Sequence, residues 1–244
     1  RFFKDRQSEE KIFKSKNFTE QWLAKCYNCL LETNLEITRI GYSTTNFADD
    51  MIFNESDGAV TYNAFKFGQY DNTWTNNSYI RCYEGIRQAS ILINNIDINK
   101  AQARFLRSYF YWLLLRKYGP VPLIPEETIS IDEDYMDMSY PRSSYDEVVN
   151  YISEEMALAA RSLPEKRDRQ NVNRSTKGAA LAVRAKVLLY TASPINNPRP
   201  GDSDKFSDFT DWQGRMLMSQ TYDESKWARA AAAAKDVIDL ANAT

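Results

Sequence analysis

Residues 101–118 constrain the fold of this chain more than any other segment. When they are placed at helical spacing, apolar residues occupy almost every side. Five of them are aromatic: Phe105, Tyr109, Phe110, Tyr111 and Trp112. Gly119, Pro120, Val121 and Pro122 follow and end the helix, because glycine adopts the left-handed conformation and proline lacks a backbone donor. A helix that is apolar all round must be buried between neighbours, so the sequence predicts a helical core.

Apolar spacing and stop signals predict five more helices, at residues 17–39, 76–96, 143–164, 175–192 and 224–241. The central helix begins at residue 99. The helix at 76–96 has an apolar face running from Ile80 to Ile93, and Ser144 is spaced from Glu147 as in a capping box, with Ser143 as the alternative cap. Residues 60–67 are a weak strand candidate, and residues 42–73 and 195–223 are long loops.

The helices alternate in character along the chain. Residues 144–163 and 226–240 are amphipathic, whereas residues 101–118 and 179–192 are apolar on nearly all sides. This alternation predicts helix hairpins stacked like tetratricopeptide repeats, that is, an all-α superhelix. We expect residues 1–244 to form one such scaffold. Arg104 and Arg107 interrupt its central helix and should pair with carboxylates on a neighbouring helix.

The charge balance excludes some functions. With 31 basic and 33 acidic residues, the net charge is −2, and no footprint for nucleic acid is present. The longest strongly apolar run, residues 109–115, is far shorter than the roughly 20 residues that span a bilayer. The three cysteines do not suggest a disulfide framework, and the spacing of Cys26 and Cys29 within a helix indicates core packing rather than a redox or metal site.

Catalysis finds little support in the sequence. The chain has no histidine, which removes the commonest general base, the usual serine and cysteine triads and most zinc ligand sets. Glycoside hydrolysis needs two carboxylates at a defined separation, and adjacency alone, as in Asp49/Asp50 or Glu154/Glu155, does not supply it. We interpret Glu154 and Glu155 as lying on the solvated side of their helix. The prediction is a binding protein without metal or cofactor.

Three segments together resemble one family. Residues 103–124 read ARFLRSYFYWLLLRKYGPVPLI, residues 177–194 read KGAALAVRAKVLLYTASP, and residues 222–239 read YDESKWARAAAAAKDVID. In residue sequence, order and spacing they resemble the SusD/RagB family of outer-membrane nutrient-binding lipoproteins from Bacteroidetes. A weaker fourth segment is YEGIRQAS at residues 83–90. The first motif is interpreted as core and turn: it identifies the family without marking a site.

The resemblance implies a fold, a function and a location. The chain would be the N-terminal helical scaffold of the family, with most of the C-terminal half absent. The protein would be lipid-anchored on the outer face of the outer membrane, through a cysteine upstream of Arg1. It would capture oligosaccharide and deliver it to a SusC-like TonB-dependent transporter beneath it. Without the resemblance, a peptide-binding adaptor of tetratricopeptide type would rank first.

Proteins bind sugars through aromatic rings that stack on the sugar face and through amide, acid and guanidinium groups that bond its hydroxyls. The candidate site residues are therefore aromatics in loops, where the apolar face of a helix does not account for them. The best segment is residues 70–77, and the resemblance favours it too. Its candidate ligand contacts are Tyr70, Trp74, Asn76 and Asn77. In the alternative interpretation Trp74 packs under the loop and Asn76 caps the next helix. Asp50 contacts ligand or holds its own loop, and Trp212 is either a cap over the last helix pair or a further aromatic platform.

Overall fold

The computed structural model describes residues 13–33, 67–68, 79–97, 99–127, 139–199, 202 and 206–243. Six α-helices lie within them: α1 Lys16–Thr33, α2 Tyr79–Asn95, α3 Lys100–Tyr118, α4 Tyr145–Ser162, α5 Lys177–Ala192 and α6 Ser225–Ala243. The six predicted helices are thereby confirmed to within a few residues, apart from positions 34–39 and 76–78, which lie outside the described residues. The strand candidate at 60–67 also lies outside the described residues, except for its last residue.

Each helix packs against the next along the chain, and α1 also contacts α3. The end of one helix lies beside the start of the following one. Val121 O, after α3, accepts a hydrogen bond from Ser143 N, before α4 (3.1 Å), and Pro164 O, after α4, accepts one from Lys177 N at the start of α5 (2.9 Å). Consecutive helices are therefore antiparallel, and the predicted stack of helix hairpins is confirmed.

Helix α3 lies at the centre of this stack. Twelve of its nineteen residues are buried, on every side of the helix, as its composition predicted. Helix α5 was expected to be equally enclosed, but Leu189 and Tyr190 are 52% and 42% exposed. The difference arises because, among the described residues, α5 packs mainly against α4 and α6 and has a side that neither covers. Ile80 on α2 is also exposed, since it lies on the same side of its helix as Glu84 and Arg87.

Helices α2 and α3 approach each other closely at Gly85. A Cβ atom built at this position would lie 2.4–2.8 Å from three ring atoms of Phe110. Carbon atoms do not pack at such distances, so Phe110 occupies the space that any side chain at position 85 would need. Glycine therefore determines how closely the aromatic helix α3 packs against α2.

After α3 the chain turns back along it. Gly119 has φ +69° and donates its N–H to Leu115 O (3.0 Å), which confirms its predicted left-handed stop. Residues 120–126 then run between α2 and α4, held by side chains from both α2 and α3. Tyr83 OH donates to Pro122 O (2.8 Å), Ile124 N donates to Tyr111 OH (2.9 Å) and Asn94 Nδ2 donates to Glu126 O (2.6 Å). We call residues 119–127 the return segment.

Arg107 fastens the return segment to the core. Its side chain is almost entirely buried, and its guanidinium donates to Ser90 Oγ (3.0 Å), to Tyr151 OH and to Ile124 O. It also lies 3.5 Å from the carboxylate of Glu126. The predicted carboxylate partner on a neighbouring helix is thus wrong for Arg107, because its acid comes from the return segment. The motif at 103–124 is confirmed as core and turn, because its Arg107 and Tyr111 bond the backbone of Ile124 in the extended chain that follows its prolines.

Arg104 behaves as predicted. Its guanidinium bonds Glu155 on α4 (2.7 Å) and also reaches Glu126 (3.3 Å). Consequently the interpretation of Glu155 as a solvated residue is wrong: it is only 8% exposed, while Glu154 is exposed as expected. The burial of Glu155 could not be predicted from the sequence of α4 alone, because an acid beside an apolar stripe is buried only where a neighbouring helix supplies a cation.

Two smaller predictions concern the core and the caps. Cys26, Cys29 and Cys82 are all free thiols buried in the core, and burial raises the pKa of Cys26 and of Cys82 to about 12. Cys26 and Cys82 therefore stay protonated at neutral pH, and all three cysteines act as small apolar side chains. The capping box of α4 is present, with Ser144 rather than Ser143 as its cap.

Candidate functional site

All five predicted site residues lie outside the described residues: Asp50, Tyr70, Trp74, Asn76 and Asn77. Their role as ligand contacts stays a prediction. The structure does describe where the chain goes next, since α2 begins at Tyr79. The Tyr79 ring contacts those of Tyr83 (4.8 Å between centroids) and Tyr118 (5.3 Å). The chain after residue 78 thus enters the stack beside the end of α3.

Antiparallel packing brings several termini together there. The N-termini of α2, α4 and α6 and the C-termini of α3 and α5 form one end of the stack, which we call the loop end. Within it, Tyr145 N donates to Leu217 O (2.8 Å), and Asn196 Nδ2 donates to Tyr145 OH (3.1 Å). Lys226 at the start of α6, only 4% exposed, pairs with Asp146 at the start of α4 (2.8 Å). The loop end is therefore cross-linked by polar contacts.

The long loop between α5 and α6 is closed at its base. Asn197 Nδ2 donates to Asp223 O (2.9 Å), and Asp223 N donates back to Asn197 Oδ1 (2.8 Å). Asn197 is 1% exposed, and its side-chain amide forms this reciprocal pair of hydrogen bonds with the backbone, as a neighbouring strand would. Hydrogen bonds to Ser225 hold the pKa of Asp223 below its usual range. The loop is anchored further by Leu217 and Met218, which are buried.

A cavity of about 560 Å³ opens beside this base, and its walls are lined by Ala192, Pro194, Asn197, Arg199, Tyr222 and Trp227. We call it the aromatic cavity. Tyr222 and Trp227 are 43% and 42% exposed, so part of each side chain is open to solvent. Arg199 is exposed, and no described residue forms an ion pair with it. Two half-exposed rings beside a free guanidinium can stack on a sugar face and donate to its hydroxyl groups.

Sequence reasoning missed the aromatic cavity. The sequence places Trp227 in the amphipathic helix at 226–240, and no helical pattern marks Tyr222 or Arg199 as a site residue. A signal was present, because the aromatics Tyr222 and Trp227 lie five residues apart across the start of a helix whose next turns are alanine. Trp212 is 82% exposed, so the interpretation of this residue as a cap over the last helix pair is wrong. It is left as an exposed aromatic.

In the described part of the chain, no cluster of three or more Cys, Asp or Glu side chains could hold a metal ion. Among the same residues, no helix combines the length and the apolar character needed to cross a bilayer.

Solved structures of known proteins share this fold. The chain is 26% identical to BT4246, with a TM-score of 0.74 over 93% of this chain and 40% of that one. It is 19% identical to surface glycan-binding protein A from Bacteroides uniformis (TM-score 0.61; 92% of this chain, 46% of that one). A laminarin-binding SusD-like protein is 23% identical (TM-score 0.52; 69% and 40%). The chain thus spans less than half the length of each structure.

A comparison with curated protein sequences finds no significant match. Residues 3–189, however, match a SusD-like family described as starch-binding and associating with the outer membrane. This match covers the motif at 103–124 and most of the helix motif at 177–194, whose geometry is described above. The resemblance drawn from the sequence is confirmed: this chain belongs to the SusD-like family.

Proposed function

We propose that this protein binds oligosaccharide at the outer surface of the outer membrane and delivers it to a SusC-like TonB-dependent transporter. The observation that carries the proposal is the family match over residues 3–189, with its description as starch-binding and outer-membrane-associated. Two structures of the same fold are named for glycan binding, one as a laminarin-binding protein and one as a surface glycan-binding protein. Family membership also favours glycan over the peptide ligand of a tetratricopeptide adaptor.

The glycan contacts that we propose fall into two groups. The first is the set predicted from the sequence, Tyr70, Trp74, Asn76, Asn77 and Asp50; the second is the aromatic cavity at the loop end. Support for the cavity comes from its two half-exposed rings, Tyr222 and Trp227, and from the unpaired guanidinium of Arg199. Rings of this kind bury an apolar sugar face while their polar tips stay in contact with water.

Binding can be tested by affinity electrophoresis of the chain through gels that contain laminarin or starch. We expect retention by one of these glycans, weakened in Trp74→Ala and in Trp227→Ala because each removes a stacking surface. Ile238→Ala is the matched control, since Ile238 is 58% exposed on the same helix as Trp227 but does not line the cavity. Retention that is unchanged in both tryptophan variants would exclude these contacts, and no retention of wild type by any glycan would contradict the ligand class.

Delivery and the lack of catalysis need separate measurements. The proposed anchor is a lipid on an N-terminal cysteine, and the proposed partner is a TonB-dependent barrel. Pull-down from native outer membranes should recover such a barrel together with the protein, and recovery without one would count against delivery.

Incubation with any glycan that the protein retains should release no new reducing ends, because the proposed work is binding alone. Release of reducing ends would identify a hydrolase instead.

A further inference from the structure

The opposite end of the stack has a different chemistry. A cavity of about 490 Å³ lies between the start of α3 and the end of α4, far along both helices from the loop end. Among the described residues, four cationic side chains line it, namely Lys100, Arg104, Arg161 and Arg167, against one acid, Asp97. Its volume falls within the usual range for small-molecule sites, about 300–1,000 Å³. We call it the basic cavity.

The acids near the basic cavity are already paired. Glu20 accepts from Arg174 (2.7 Å) and Asn99 (2.9 Å), and although burial opposes it, these bonds keep the pKa of Glu20 below its usual range. Glu155 and Glu126 are paired with Arg104, and Glu165 is paired with Lys177 (3.2 Å). None of these carboxylates is therefore left to neutralise the remaining cations.

Three cations remain without an acid. Among the described residues, neither Lys100 nor Arg161 forms an ion pair or a hydrogen bond through its side chain. Arg167 donates from Nε and Nη2 to Ser175 O (3.1 and 2.8 Å), which orients its guanidinium but leaves its charge uncompensated. Asp97 is the one acid among the described lining residues, so these residues together carry a net positive charge. Clefts lined by charges of one sign concentrate ligands of the other.

The walls of the basic cavity are not only charged. Leu158, Leu163 and Pro164 from the end of α4 contribute apolar surface beside the cations. Leu158 is 42% exposed, so part of its side chain is open to a molecule in the cavity. An inorganic anion would use only the cations. A carboxylate carried on a ring-sized body would use both kinds of wall.

We infer that the basic cavity binds the carboxylate of an acidic sugar, such as a uronic acid unit of a glycan, through Lys100 and Arg161. Guanidinium and ammonium groups form charge-assisted bonds with carboxylates, and the arginine fork can do so through two parallel bonds. Leu158 and Pro164 would contact the ring. This site is independent of the aromatic cavity and lies at the other end of the helix stack.

Calorimetric titration of the 244-residue chain with trigalacturonate tests the inference, with maltotriose as the neutral probe. We expect trigalacturonate to bind and maltotriose not to bind at this cavity. The double variant Lys100→Gln/Arg161→Gln should weaken trigalacturonate binding by about tenfold or more, since it removes two charge-assisted contacts. Raising the ionic strength from about 0.01 M to about 1 M should weaken it as well, because the screening length falls from about 30 Å to about 3 Å.

Arg229→Gln/Lys235→Gln is the matched control, because it removes the same charge from exposed positions on α6. It should leave trigalacturonate binding unchanged. Three results would each overturn the inference: no binding of trigalacturonate, equal losses in the two double variants, or inorganic phosphate that competes as well as trigalacturonate. Thermal unfolding of each variant shows whether it keeps the wild-type fold.

Discussion

Helices α3 and α6 both carry segments that are typical of the family, but they occupy opposite situations. In α3, twelve residues are buried and Trp112 is 2% exposed, with its ring packed edge-on against Tyr190 at 5.0 Å. In α6, only Lys226, Ala230 and Ala233 are buried, and Trp227 is 42% exposed. The same residue type is core in one helix and surface in the other. Position in the stack decides this, because α3 has neighbours on several sides and α6 packs mainly on α5.

The largest expected effect compares the two tryptophans directly. Trp112→Ala should lower the free energy of unfolding by about 3–5 kcal/mol, the usual result of emptying a large aromatic site in a core. Trp227→Ala should lower it by about 1 kcal/mol or less, since nearly half of its surface already meets water. Urea denaturation followed by circular dichroism measures both. Equal losses would show that the centre and the edge of the stack do not differ in this way.

The second comparison concerns charge. Arg107→Met should lower the free energy of unfolding by about 3 kcal/mol, because Tyr151 OH and Ile124 O lose their buried donor and each unsatisfied group costs about 1–3 kcal/mol. Lys235 on α6 pairs with Asp239 (2.6 Å) but is 70% exposed. Lys235→Met should therefore change the unfolding energy by only about 0.3–0.5 kcal/mol. If Arg107→Met proves as mild as Lys235→Met, Arg107 does not hold the return segment.

The smallest comparison uses two helical glycines and predicts opposite signs. Gly85→Ala should lower the free energy of unfolding by about 1–3 kcal/mol, since its Cβ would overlap the Phe110 ring that α3 inserts there. At Gly178 on α5 the nearest atom to a new Cβ is Leu240 Cδ2, at 3.7 Å, an ordinary contact. Gly178→Ala should stabilise the protein by about 0.4–1 kcal/mol through lower chain entropy when unfolded. A gain of stability in Gly85→Ala would refute the close packing of α2 on α3.

Most of the scaffold could be predicted from the sequence because its signals are local. Helix spacing, the stop at Gly119 and the cap at Ser144 each depend on a few neighbouring residues, and all appear in the structure. Burial of the cysteines could be predicted for the same reason: they lie on the apolar face of a helix. The family motifs added a fold and an expected function, which the match over residues 3–189 supports.

The candidate sites were much harder to predict, because they depend on which residues meet across helices. Nothing local to Glu155 shows that Arg104 lies opposite it, and nothing local to Arg107 shows that its partners come from α2, α4 and the return segment. The aromatic cavity joins Arg199 to Tyr222 and Trp227 only because Asn197 and Asp223 close the loop between them. The basic cavity joins the start of α3 to the end of α4.

By itself, then, the sequence determined the helices, their apolar faces and the family. Only the tertiary structure decided which charges are paired and which are left free, since Arg104 pairs with Glu155 and Arg174 pairs with Glu20, and the partners in each pair are distant in sequence. It also decided which tryptophan is core and which is surface. The physical reason is the same in each case: periodicity is a property of one helix, whereas burial and charge pairing are properties of its neighbours.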